Sequence, residues 1–133
     1  MAVHGFACAL IIDDDPIQCQ LLTSVLRKRS IARILTAADG AAAKQLVEAH
    51  GVEIDLILCD LNMPNFDGIE FLAYLGGHAT RSTLIIISGA AAPIIRAADG
   101  LARTYRLNYR GFLQKPIDFN ALDEMLDAAA QNT

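Results

Sequence analysis

The sequence predicts an α/β fold in three layers: a parallel sheet of five strands with helices packed on both faces. Three observations point to it. Short apolar runs alternate with longer amphipathic stretches along the chain. The runs are continuous rather than alternating in polarity, the pattern of strands covered on both faces. Apolar residues make up 53% of the 133 residues and charged ones only 20%, enough to bury a sheet twice over. Five strands alternating with five helices imply right-handed crossovers between parallel neighbours. The length suits one core, so residues 1–133 are read as a single domain.

The first strand is Ala7 to Ile12, an apolar run that ends in Asp13-Asp14-Asp15. A helix follows from Pro16 to Arg29: Ile17, Leu21, Leu22, Val25 and Leu26 have helical spacing, and Asp15-Pro16 is a helix start. The second strand is placed at Ala32 to Ala37 and the second helix from Gly40 to His50. Asp55 to Cys59 is the third strand and Gly68 to Gly76 the third helix, entered through an Asp67-Gly68 turn. Leu84 to Ile87 is the fourth strand. Ala91 to Leu107 reads as a long helix, in which Asp99-Gly100 marks a break or an irregular turn. Gly111 to Gln114 is a short fifth strand, and Asp118 to Ala130 a closing helix.

Bulk properties exclude several classes. A formal charge of -4 argues against a surface that neutralises phosphate backbones, and the one basic cluster, Arg27-Lys28-Arg29, is short. No direct nucleic-acid partner is expected. Cys8, Cys19 and Cys59 have neither metal-ligand spacing nor an even count, and are read as reduced core residues. Met1 to Phe6 lacks a leader pattern and no apolar run approaches the roughly 18 residues that span a bilayer, so a cytoplasmic protein without membrane contact is expected. His4, His50 and His78 are scattered, and none is read as a phosphoryl relay.

In parallel α/β sheets ligands sit beyond the carboxyl ends of the strands. Asp13 and Asp14 follow the first strand, Asp60 the third, Ser88 the fourth and Lys115 the fifth. Asp15 reads as a helix cap, which leaves Asp13 and Asp14 to explain. Clustering them with Asp60 costs free energy unless a cation is present. Carboxylate oxygens of this kind suit Mg²⁺. Asp60 could then act as a nucleophile toward phosphorus, with Lys115 supplying an ammonium and Ser88 a hydroxyl to the phosphoryl oxygens.

Four segments, Ile11 to Pro16, Cys59 to Gly68, Ile87 to Ala90 and Phe112 to Ile117, occur in this order on these elements. Together they resemble the response-regulator receiver family of two-component signalling over nearly the whole chain. The resemblance implies a flavodoxin-like sheet of order 2-1-3-4-5. It also implies Asp13 and Asp14 as the acidic pair that holds Mg²⁺, Asp60 as phosphoacceptor and metal ligand, and the backbone carbonyl of Asn62 as a further ligand. Ser88 would be the switch hydroxyl, Lys115 the paired cation and Phe112 the switch aromatic; Phe112 also reads simply as core. Lys115-Pro116 would be cis, against the trans base rate of X-Pro bonds. The implied partners are a sensor histidine kinase or histidine phosphotransfer protein, and an output domain or protein reached through the fourth helix, fifth strand and fifth helix. A homodimer is a further option. The chain would catalyse only its own phosphorylation and dephosphorylation.

The interval from Ser88 to Lys115 exceeds the family pattern by roughly one helical turn, about 5.4 Å of rise, and is expected to enlarge the fourth helix or the loop after it. The stretch from Arg96 to Ile117 also looks like receivers joined to EAL-type cyclic-di-GMP phosphodiesterase domains. Two alternatives stand beside this reading. Asp13-x-Asp15 partly mimics the nucleophile motif of haloacid-dehalogenase phosphohydrolases, but Ile17 replaces the Thr or Val expected there and no later acidic pair follows. A binding-only pseudo-receiver would share the fold without the chemistry.

Overall fold

Continuous apolar runs form the inner strands. In the computed structural model, which describes residues 5–79 and 81–131, ten elements alternate: β1 (Cys8–Ile12), α1 (Pro16–Lys28), β2 (Arg33–Ala37), α2 (Gly40–His50), β3 (Leu56–Cys59), α3 (Gly68–His78), β4 (Thr83–Ser88), α4 (Ala92–Thr104), β5 (Asn108–Gln114) and α5 (Phe119–Gln131). All strand pairs are parallel, in the order β2-β1-β3-β4-β5 that the sequence resemblance implied. The central strands β1, β3 and β4 are buried along their whole length. The edge strands β2 and β5 are mixed.

Successive side chains of a strand point to opposite faces, so each central strand feeds two cores. Leu10, Ile57 and Leu84 pack with Phe71, Leu72 and Leu75 of α3 and Ala98 and Ala102 of α4. Ile11, Leu58 and Ile85 pack on the other face with Leu22 and Leu26 of α1 and Leu122 and Leu126 of α5. Each such Leu or Ile contributes about 1.5–3 kcal/mol by leaving water. These two layers hold the sheet rigid beneath its carboxyl edge.

Aspartates start four of the five helices. Asp15 accepts from the Ile17 N–H, Asp39 from Ala42, Asp67 from Ile69 and Glu70, and Asp118 from Asn120 and Ala121. Each cap satisfies donors that the first turn leaves open, worth about 1 kcal/mol. Helix α4 has Ala91 at this position and no side-chain cap.

The region after β4 departs from the sequence reading. Helix α4 ends at Thr104 instead of Leu107 and has 13 residues, no more than α1 or α5. Asp99-Gly100 lies inside it without a break. The chain turns through Arg106, whose φ of 57° ends the helix without the glycine that usually announces such an end. Strand β5 then starts at Asn108 rather than Gly111 and contains a bulge: Leu84 pairs with Tyr109 and Ile85 with Gly111, leaving Arg110 extra. Gly111 has φ 127°, a conformation costly for any other residue. The bulge adds one residue to the strand. Elsewhere, α3 runs on to His78 and the remaining boundaries agree within one or two residues. Among the described residues, no helix is long and apolar enough to cross a membrane.

Candidate functional site

Parallel strands end together, and here the ladder continues past their last residues. The Asp13 N–H donates to Ala37 O at 3.0 Å, Asp60 N–H to Ile12 O at 2.9 Å, and Lys115 N–H to Ser88 O at 3.1 Å. Three polar side chains are thus held at one sheet edge by the backbone of their neighbours. Asp13 is 2% exposed and Asp60 3%. Two carboxylates so nearly dry need positive charge.

Lys115 provides it. Its Nζ donates to Asp13 Oδ2 at 2.9 Å and to Asp60 Oδ2 at 2.8 Å. Burial alone would lower the proton affinity of this ammonium, but the hydrogen bonds and charges of Asp60 and Asp13 outweigh it and hold its pKa above the ordinary lysine value. The remaining oxygens are also aimed: Asp60 Oδ1 accepts from the Asn62 N–H at 2.8 Å, and Asp13 Oδ1 from the Asp15 N–H at 2.9 Å. Asp14 is exposed, and ligand oxygens of Asp13, Asp14 and Asp60 lie within 4.8 Å of one another. Three carboxylates, with no thiolate or imidazole among them, form a donor set that fits a hard divalent cation such as Mg²⁺.

The Lys115-Pro116 bond is cis, as the resemblance implied. Ser88 is fully buried at the end of β4, and its Oγ accepts from the Ala90 N–H at 3.1 Å. Phe112 is 43% exposed, so its ring is not core. Asp15 caps α1, which leaves it occupied and counts against its use as an acid partner to Asp13. His50 and His78 end α2 and α3. Because the helices run antiparallel to the strands, both lie at the opposite rim from the carboxylates. His4 lies outside the described residues.

Two contacts escaped the sequence reading. The Cys19 thiol donates to Asp13 O at 3.3 Å, bracing the acidic loop, and Cys59 Sγ lies 3.6 Å from Asp60 O. Burial above all, then the charge of Asp60, pushes the Cys59 thiol far up, so it is an inert neighbour. All three cysteines are free, and Cys8 and Cys59 are buried. Cys19 is only half-buried rather than core as the sequence reading expected, and its contact with a loop carbonyl has no sequence signal.

A doubly wound parallel sheet of order 2-1-3-4-5, with buried acids and a bridging lysine at its carboxyl edge, defines a flavodoxin-like protein with its site at the topological switch point. The family of the response regulator receiver domain matches residues 9–127, and the chain belongs to it. It is 33% identical over 121 residues to the cyclic di-GMP phosphodiesterase RocR of Pseudomonas aeruginosa, covering 88% of this chain and 30% of that protein. It is 32% identical over 120 residues to the regulator of RpoS of Escherichia coli, covering 90% and 33% respectively. The chain thus spans about a third of the length of these relatives. The structure is similar to a response regulator from Colwellia psychrerythraea at 26% identity and a TM-score of 0.74, over 97% of this chain and 100% of that one. The similarity to RocR agrees with the finer resemblance to receivers joined to cyclic-di-GMP phosphodiesterase domains.

Proposed function

We propose that the chain is a Mg²⁺-dependent phosphoacceptor switch in which Asp60 takes a phosphoryl group from a histidine kinase or histidine phosphotransfer protein. The observation that carries this reading is Lys115 Nζ bridging Asp13 and Asp60 at 2.9 and 2.8 Å. Asp13, Asp14 and Asp60, with the Asn62 carbonyl, would hold the metal. When bound, Mg²⁺ would screen negative charge on the incoming phosphoryl group.

Asp60, held against the ammonium of Lys115, attacks phosphorus in line; a new O–P bond forms, the donor's P–N bond breaks, and the leaving nitrogen takes a proton. Lys115 stays within reach of the transferred oxygens. The Ser88 hydroxyl, now bound only as an acceptor, retains a proton to donate to one of them. Phe112, exposed in this arrangement, would turn inward if Ser88 moves toward the phosphoryl group. The face formed by α4, β5 and α5 would carry the signal to an output domain, for which a cyclic-di-GMP phosphodiesterase is the reading that RocR supports. Membership of the receiver family, with Asp15 tied into a cap, disfavours a phosphohydrolase that uses Asp13. The test is labelling by acetyl phosphate with Mg²⁺: Asp60→Asn should abolish it while leaving the circular dichroism spectrum unchanged. Undiminished labelling of a folded Asp60→Asn protein would overturn the assignment.

A further inference from the structure

One buried polar group has no role in the site described. Tyr109, the second residue of β5, tucks its ring against the cluster that contains Ala98 and Ala102 of α4, yet its hydroxyl is sealed from water with no hydrogen-bond partner. A buried hydroxyl left unmatched is destabilising, and native proteins keep few. The charged groups that act on it are on α4. Asp99 and Arg103 form an i,i+4 ion pair there, with Nε to Oδ2 at 2.9 Å, and both influence Tyr109 electrostatically. The hydroxyl keeps its proton at neutral pH, because burial above all, then Asp99, pushes it up to about 12. It is a donor without an acceptor.

The two sides of this contact differ in how firmly they are held. Tyr109 is fixed: it pairs with Leu84, and the adjoining Asn108 Nδ2 donates to Thr83 Oγ1 at 3.0 Å. Helix α4 is loosely held at its start: it lacks a side-chain cap, opens on exposed Ala92-Pro93, and is joined to Ser88 through Gly89, Ala90 and Ala91. Its buried stripe is small, with Ala98 and Ala102 flanked by Ile95. Small side chains permit sliding where large interdigitated ones lock.

We propose that Tyr109 is a latch between β5 and α4: its hydroxyl, unpartnered with α4 in the position described, donates to Asp99 when α4 shifts, so that the hydrogen bond belongs to the switched arrangement. Asp99 accepts it while keeping or loosening its pair with Arg103, an exposed i,i+4 surface pair of the kind that contributes little. The latch is separate from Phe112, three residues further along the same strand. It rests on the reading of Asp60 as phosphoacceptor.

Beryllofluoride with Mg²⁺ is the probe, because it imitates a phosphorylated carboxylate. Urea unfolding without ligand and beryllofluoride titration are measured for wild type, Tyr109→Phe, Asp99→Ala and the double variant. Tyr109→Phe should unfold at or above the wild-type urea midpoint, since it deletes an unmatched group, yet bind beryllofluoride about tenfold more weakly. Asp99→Ala, which leaves no side-chain acceptor, should weaken binding similarly, and the double variant no further, because both remove one bond. A lowered ligand-free midpoint for Tyr109→Phe, beryllofluoride affinity within twofold of wild type, or additive losses would each overturn the latch. Failure of the wild type itself to bind beryllofluoride would instead remove the phosphoacceptor reading on which the latch rests.

Discussion

Replacing Lys115 by Met keeps most of the stem and removes the charge that two nearly dry carboxylates share. Removing one partner of a buried ion pair costs about 3–5 kcal/mol, because the other is left uncompensated. The Lys115 side chain is 26% exposed and sits at the rim of the sheet, so water can partly replace it. That places the loss near the lower end, at about 3 kcal/mol. With a urea m-value of about 2 kcal/mol/M for a small domain, the midpoint should fall by about 1.5 M in EDTA. Added Mg²⁺ supplies the missing positive charge, so it should recover a larger part of the stability of Lys115→Met than it adds to the wild type. Equilibrium unfolding followed by circular dichroism, with EDTA and with Mg²⁺, reads both effects. A midpoint within about 0.3 M of wild type in EDTA, an amount corresponding to only about 0.6 kcal/mol, would refute the view that Lys115 neutralises this site.

Two further outcomes follow from the same charges. Asp14→Ala should weaken Mg²⁺ binding at least about tenfold in a calorimetric titration without lowering ligand-free stability, since it removes one of three crowded carboxylates; unchanged affinity would exclude Asp14 as a ligand. Alkaline unfolding should separate Lys115 from the rest. Its folded-state pKa is raised, so the ion pair's stabilisation is complete below the unfolded-state value of about 10.4 and is lost as pH rises through the higher folded-state value. Tyr109 acts with the same sign: the folded form retains its proton up to about 12, so stability falls once the unfolded chain ionises near 10. The gap between wild type and Lys115→Met should therefore narrow above that range, and a gap independent of pH would contradict the pairing.

How much of this was legible in the sequence depends on burial. Leu10, Ile11, Ile57, Leu58, Ile85 and Ile86 lie on inner strands covered on both faces, so their apolar runs are unambiguous. Strand β5 is an edge. Asn108-Tyr109-Arg110 has mixed polarity and half-burial there, and a bulge removes the period of two, so the sequence leaves these residues unassigned between the fourth helix and the fifth strand. The end of α4 was hidden because Arg106 adopts positive φ without glycine or asparagine to signal it. Within the site, Asp13, Asp60 and Lys115 were legible because each follows a recognisable strand and their chemistry makes sense only together. The N–H of Asn62, the thiol of Cys19 and the unmatched hydroxyl of Tyr109 were not, because these depend on loop geometry and packing rather than on residue type.

The central claim concerns one atom pair, a carboxylate oxygen of Asp60 and phosphorus. After incubation with acetyl phosphate and Mg²⁺, borohydride reduction converts an aspartyl phosphate to homoserine, and peptide mass spectrometry locates it. Homoserine is expected at position 60, with Asp13, Asp14 and Asp15 unmodified and the signal abolished by EDTA. Homoserine at Asp13, or none at any aspartate in protein whose Mg²⁺ binding has been verified, would contradict it.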